Sequence, residues 1–172
     1  VPRIAFVNKM DRVGADFDNV VAEMTEKLGA YAFPVCIPIG SEEDLVGNID
    51  VINQKAIIFD SSDKAGIKYE VVELSEDLKE KAAAALQSLT EAVAEKDEQI
   101  MELVLEDKEV TAETLKAAIR RLTITNEMVP VFGGSAFKNR GVQPLLDGIV
   151  DYLPSPLNIP SAIGHDEKNP EL

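Results

Sequence analysis

At 172 residues and 45% hydrophobic composition the chain can fill one domain or two small ones, and a formal net charge of −14 sets it against phosphate backbones, excluding a bare RNA-binding role. No apolar run is long enough to span a membrane and no charged-then-apolar signal opens the chain, so it reads as a cytoplasmic protein without a membrane partner. The single cysteine, Cys36, excludes an internal disulfide framework and a metal cluster of its own, and reads as a small core residue on an apolar strand.

Ile4, Ala5, Phe6 and Val7 form a continuous apolar run suited to a strand buried on both faces. It opens into Asn8, Lys9 and Asp11, an N-K-x-D loop. Guanine presents two adjacent donors, its ring N–H and its exocyclic amine, and the Asp11 carboxylate is an acceptor-only group able to take both. Adenine has no such pair, and a bidentate base contact is worth roughly 1–3 kcal/mol of discrimination. The Lys9 stem can lie along the flat base, and Asn8 can tie the loop to its neighbours. A polar surface turn explains the bare tetrapeptide equally well.

Phe17, Val21, Met24 and Leu28 then recur at helical spacing, with Gly29 as the C-terminal cap. Phe33 to Ile39 is a β-like run whose Pro34 and Pro38 suit a sheet edge. Ile49 to Phe59 reads as a strand or hairpin arm, 61–66 as a turn and Ile67 to Leu74 as another strand, together a small, mostly antiparallel sheet. Ser75 caps a helix with Glu76 and Asp77 in its first turn, where the helix dipole favours carboxylates. Leu78, Ala82, Leu86, Leu89, Val93, Ile100 and Leu103 form its apolar stripe, with a break near Lys96 to Asp97. Thr111 caps a further helix with Leu115, Ile119 and Leu122 inward.

Pro130 to Phe132 is a second short apolar strand, followed by Gly133, Gly134, Ser135 and Ala136, small residues that let backbone N–H groups approach a ligand. A backbone N–H from Ala136 directed at the guanine O6 acceptor would complete a base reading begun by the first loop. Two strand–loop–helix units of this kind place side chains at the carboxyl edge of a parallel sheet, where α/β folds bind ligands. The last helix begins near Gly141, has Pro144 in its first turn, and carries Leu145, Leu146, Ile149, Val150 and Leu153 on its apolar side. Pro154 ends it. Residues 158–172, with Pro160, His165 and Pro170, read as a linker. Nearly a hundred residues separate the first helix from the second core strand, where a parallel crossover needs only about a dozen. The expected organisation is therefore a discontinuous core, 1–29 and 128–157, interrupted by an α+β subdomain over 30–127.

NKMDR with GAD after it, PIG (Pro38 to Gly40), GNID (Gly47 to Asp50), GSAFKNRGVQPLLD and DYLPSP (Asp151 to Pro156) resemble the bacterial translation elongation factor G family over almost the whole chain. The string GSAFKNRGVQ is far more specific than N-K-x-D. The resemblance implies an α/β fold with a partial P-loop-NTPase-type parallel sheet, flanking helices and an inserted α+β subdomain. It implies GTP or GDP as the ligand, with guanine specificity carried by Asn8, Lys9 and Asp11 and by Ser135 and Ala136, Phe137 flanking the base. It also implies a translocating GTPase at the ribosome, whose insertion is associated with the ribosomal stalk protein. GTPases of ribosome protection and peptide release share this core and match the string less well.

No G-x-x-x-x-G-K-[ST] loop occurs in the 172 residues. In the family that loop, both switch regions and the magnesium site precede the equivalent of Val1, so the expectation is a piece of a longer factor, working with its remaining domains and without hydrolysis of its own. The alternative is an interaction module that docks the ribosomal stalk, with acidic helix faces turned to protein or serving only solubility.

Overall fold

The computed structural model describes residues 1–63 and 65–158. Strand formation starts from the apolar runs: β1 (Ala5–Val7), β2 (Ala32–Pro34) and β7 (Val129–Gly133) form a parallel sheet in the order β1-β7-β2. β7 is buried along its whole length, as its unbroken apolar sequence requires in the centre of such a sheet. Its register sets Val7 opposite Gly133 and Pro34 opposite Val131. The remaining strands, β3 (Cys36–Ile39), β4 (Gly47–Asp50), β5 (Lys55–Phe59) and β6 (Tyr69–Glu73), form an antiparallel sheet in chain order.

The helices cover the parallel sheet. α1 (Phe17–Leu28) packs on β2; α2 (Glu76–Ala94) packs on β2, α3 (Glu98–Leu105) and α4 (Ala112–Ile124); α4 and α5 (Val142–Tyr152) both reach β7. The break between α2 and α3 falls at Asp97, whose buried carboxylate caps Ile100 N–H at 3.1 Å and accepts two hydrogen bonds from Arg121, at 2.8 and 3.0 Å. Single-residue caps also fix α1, where Asp16 accepts from Asn19 N–H at 3.0 Å and left-handed Gly29 closes the other end. Ala82, Leu89, Val93, Ile100, Leu115, Ile119 and Leu122 are buried, and Cys36 sits in the same continuous core, where burial pushes its thiol well above the ordinary range.

Three sequence expectations change in detail. The run Phe33 to Ile39 is not one edge strand but two, because the chain passes from one sheet to the other at Val35. Val35 N–H donates to Val131 in the parallel sheet at 2.9 Å, while its carbonyl accepts from Val51 N–H at 3.1 Å beside the antiparallel sheet. β2 thus lies inside the range 30–127 expected as an insertion yet supplies a strand of the parallel sheet. In α1 the expected stripe is only partly buried, with Phe17 enclosed and Leu28 exposed.

α5 is rotated from its sequence reading. Gly148 and Tyr152 form its buried face, with Leu145 half-buried, while Leu146, Ile149 and Val150 are exposed, Val150 by 77%. The cause is close approach: a Cβ at Gly148 would lie 2.2 Å from Cζ of Phe132, so the helix meets β7 along the line of the glycine. The expected tail over 158–172, with Pro160, His165 and Pro170, lies outside the described residues except for Asn158. No helix among the described residues is long and apolar enough to cross a membrane.

Gly148→Ala should therefore force α5 from β7 and cost about 1–3 kcal/mol of stability by overpacking, read as a lower denaturant midpoint with an unchanged slope. An unchanged midpoint would show that the Phe132 ring yields freely.

Candidate functional site

β1 and β7 end side by side, and the ladder continues past them. Gly134 N–H donates to Val7 at 3.0 Å and Met10 N–H donates to Gly134, also at 3.0 Å. A residue with a side chain does not fit at position 134, because a Cβ there would stand 2.1 Å from the Arg140 carbonyl. Two loops 128 residues apart are joined beyond this point: Ala136 N–H donates to Asn8 Oδ1 at 3.0 Å. Asn8 Oδ1 also accepts from Lys9 N–H at 2.7 Å. Lys9 holds the left-handed conformation, with φ +60°, and its carbonyl accepts from Arg12 N–H at 3.0 Å. Non-glycine residues adopt that backbone only where surrounding bonds impose it.

The second loop is closed by reciprocal bonds between Ser135 and Arg140, each N–H donating to the other's carbonyl at 2.9 Å, and by Asn139 N–H donating to Ala136 at 3.1 Å. All six residues singled out in the sequence, Asn8, Lys9, Asp11, Ser135, Ala136 and Phe137, stand on this pair of loops. Asn8 ties the loops as its side chain allows. The Ala136 N–H, expected to point at a guanine O6, donates to Asn8 Oδ1 instead.

Asp11 is the electrostatic centre. Its side chain is 9% exposed, and Lys138 Nζ lies 3.6 Å from Oδ2. The neighbouring Ser135 hydroxyl is the largest influence holding the Asp11 carboxyl below the usual carboxylate range; desolvation opposes it, and the charges of Lys138 and Arg12 add to it. Yet Ser135 Oγ is buried and closes no hydrogen bond of standard geometry. Its approach to the carboxylate thus falls short of a formed bond, leaving an orphaned polar atom beside an ionised, acceptor-only group. Phe137 offers its ring to solvent at 91% exposure, and Lys9 is exposed as well.

This donor and acceptor set fits a guanine. The base would supply two donors to Asp11, a flat face for Phe137 and the Lys9 stem, and polar edges that could occupy Ser135 Oγ. Magnesium, expected with the nucleotide, has no group of three or more suitable side chains among the described residues. Sequence reading did not single out Lys138, Arg140, Asn48 or Glu42. The first two lay inside the GSAFKNRGVQ string without any signal of their partners, and the others act through contacts distant in sequence.

A parallel sheet with two ligand-facing loops at its carboxyl edge defines the class, a nucleotide-binding α/β domain. Residues 1–155 match the family model of the elongation factor Tu GTP binding domain, and the chain belongs to that family of translational GTPases. It is also similar to a crystal structure of a protein from Thermus thermophilus, with 31% identity and a TM-score of 0.77. That likeness covers 91% of this chain and 23% of the other.

Because the folded-state pKa of Asp11 lies below its unfolded value, its ionisation contributes stability above the ordinary carboxylate pKa, and that contribution is lost as pH falls through the lowered one. Ser135→Ala should raise the Asp11 pKa toward the ordinary value in a carboxyl-carbon NMR titration. It should also lower stability above the ordinary carboxylate pKa, by the share of the Asp11 contribution that Ser135 supplies. An Asp11 titration identical in both proteins would rule out the Ser135 influence.

Proposed function

We propose that this chain is the guanine-reading part of a longer translational GTPase of the elongation factor G kind, a factor that moves tRNA and mRNA on the ribosome. The observation that carries the reading is the ionised, nearly enclosed Asp11 carboxylate standing beside the partnerless Ser135 hydroxyl at the carboxyl edge of β1 and β7. Family membership and the GSAFKNRGVQ string support the same assignment.

In this reading Asp11 accepts from the guanine ring N–H and exocyclic amine, Lys9 and Phe137 lie against its faces, and Asn8 holds the two loops at a common height. Ser135 and Ala136 line the O6 side, the Ala136 N–H being shared between the base and Asn8. The 172 residues contain no phosphate-cradling loop, so phosphate binding, magnesium and hydrolysis are assigned to parts of the protein outside them. The share of the Thermus protein that this chain spans, 23%, accords with a longer factor.

The range 30–127 is assigned to partner docking, with the ribosomal stalk protein as the partner. Support comes from the exposed acidic residues of α2 and α3, among them Glu91, Glu98 and Glu102, and from Glu95 between the two helices, on a chain of net charge −14.

In the full-length protein, Asp11→Asn should shift preference from guanine to xanthine nucleotides, because xanthine replaces the amine with a carbonyl that an amide nitrogen can meet. Retention of the wild-type guanine preference would remove Asp11 from the role. Calorimetric titration of the isolated chain with GDP and ADP should give weak binding selective for GDP. Equal affinity for both would show that these loops alone do not discriminate.

A further inference from the structure

The antiparallel sheet does more than pack beside the core: it grips both base-facing loops from behind. Arg140, at the closing end of the second loop, sends Nη1 to the Leu45 carbonyl at 2.6 Å and lies over the Phe59 ring, 5.9 Å from its centre. Leu45 is fully buried, and Phe59 belongs to β5. The same residue's backbone makes both bonds that close the loop on Ser135. At the start of that loop, Asn48 of β4 donates from buried Nδ2 to the Gly133 carbonyl at 2.8 Å. Asn139 Nδ2 reaches the Ala65 carbonyl at 2.8 Å, on the connection between β5 and β6. The first loop is held likewise. Glu42 N–H donates to the Met10 carbonyl at 2.7 Å, and Glu42 Oε1 accepts from Gly14 N–H at 2.8 Å.

These bonds leave the solvent side of each loop free and clamp its rear. Ser135 and Asp11, which lie side by side at the site, belong to different loops, so their spacing depends on how firmly each loop is backed. A loop built from Gly133, Gly134, Ser135 and Ala136 has little side-chain packing of its own to hold it. Its rigidity comes from Arg140 and Asn48, and through them from the antiparallel sheet.

We infer that the antiparallel sheet is a brace for base recognition, with Arg140 its main positioning residue and Asn48 its second, so that distorting the brace weakens guanine discrimination without altering any group that touches the base. The inference rests on the guanine reading of Asp11 proposed above.

The test uses the full-length protein and compares affinities for GDP and IDP. Inosine lacks the exocyclic amine, so the GDP-to-IDP affinity ratio reports the Asp11 contact itself. Asp11→Asn serves as the reference for that contact, and Leu89→Ala, in the α2 core, as a variant that loses stability without touching either loop. Arg140→Ala should lower the ratio by about 3- to 30-fold, and Arg140→Lys by less, since an ammonium can keep the bond to Leu45 while losing the planar stack on Phe59. Leu89→Ala should leave the ratio at its wild-type value. If Arg140→Ala proves unfolded, a reduced ratio in Arg140→Lys supports the brace and an unchanged one overturns it. A wild-type ratio in Arg140→Ala, with Asp11→Asn abolishing discrimination, overturns the brace alone. An equal fall in Arg140→Ala and Leu89→Ala also overturns it, because general loosening would then suffice. No change in Asp11→Asn overturns the guanine reading itself, and the brace falls with it.

Discussion

The parallel pairing of β1 with β7 is the constraint on which the site depends. Val7 opposite Gly133 places Asn8 and Ser135 at the same sheet edge, and the Gly134 bonds to Val7 and Met10 carry the pairing one step beyond the strands. A slip of one residue would invert the side chains of β7 and separate the two loops; it is resisted at Gly133, where a Cβ would lie 2.6 Å from Pro38 and 2.7 Å from Phe17, so no residue with a side chain fits there. Close packing at Gly133 thus helps set the register, and the register sets the distance between the Asp11 carboxylate and the loop containing Ser135. Gly134, just after β7, is needed because the Arg140 carbonyl occupies the space a side chain there would take.

Charge follows from the same geometry. An aspartate as enclosed as Asp11 would ordinarily be pushed toward its neutral form by desolvation, yet its pKa is lowered. The hydroxyl of Ser135 and the Lys138 ammonium, both from the second loop, outweigh the desolvation. The acceptor on the first loop is therefore held below the ordinary carboxylate range chiefly by a neighbour on the second. Asn8 does the equivalent for shape, since one side-chain oxygen takes N–H bonds from both loops.

The two sheets share a backbone at Val35, and this continuity explains why the antiparallel sheet can act on the loops at all. A region attached by a free linker would hold Leu45, Asn48 and Phe59 in no fixed relation to Gly133 and Arg140. Passing directly from β2 into β3, the chain carries β4 and β5 to the rear of the second loop. The buried Asn48 carries a cost there, since its Oδ1 has no partner while Nδ2 serves the Gly133 carbonyl. A polar side chain kept in a core at that disadvantage is consistent with a positioning role.

Much of this was legible in the residues. Apolar runs at 4–7 and 130–132, helix ends at Gly29, Ser75 and Thr111, and a break at Asp97 are local signals, because strand burial, helix ends and turn conformations depend on neighbours within a few positions. Asn8, Lys9, Asp11 and Ala136 were singled out for the same reason, lying in short loops after apolar strands, whereas Ser135 and Phe137 entered only through the family resemblance. The rotation of α5 was not, since its apolar residues surround more than one face and only the bare Gly148 meeting Phe132 selects which face turns inward. Nor was the division of 32–39 between two sheets, which hangs on hydrogen bonds from Val35 to Val131 and Val51. The sequence by itself determined the family, the elements and the chemical character of the loops. Tertiary structure alone decided that Ser135 and Lys138 lower the Asp11 pKa, that Asn8 occupies the Ala136 N–H, and that Arg140 and Asn48 tie the loop to a second sheet. Those contacts join residues dozens to more than a hundred positions apart, and no local pattern encodes a partner at such a distance.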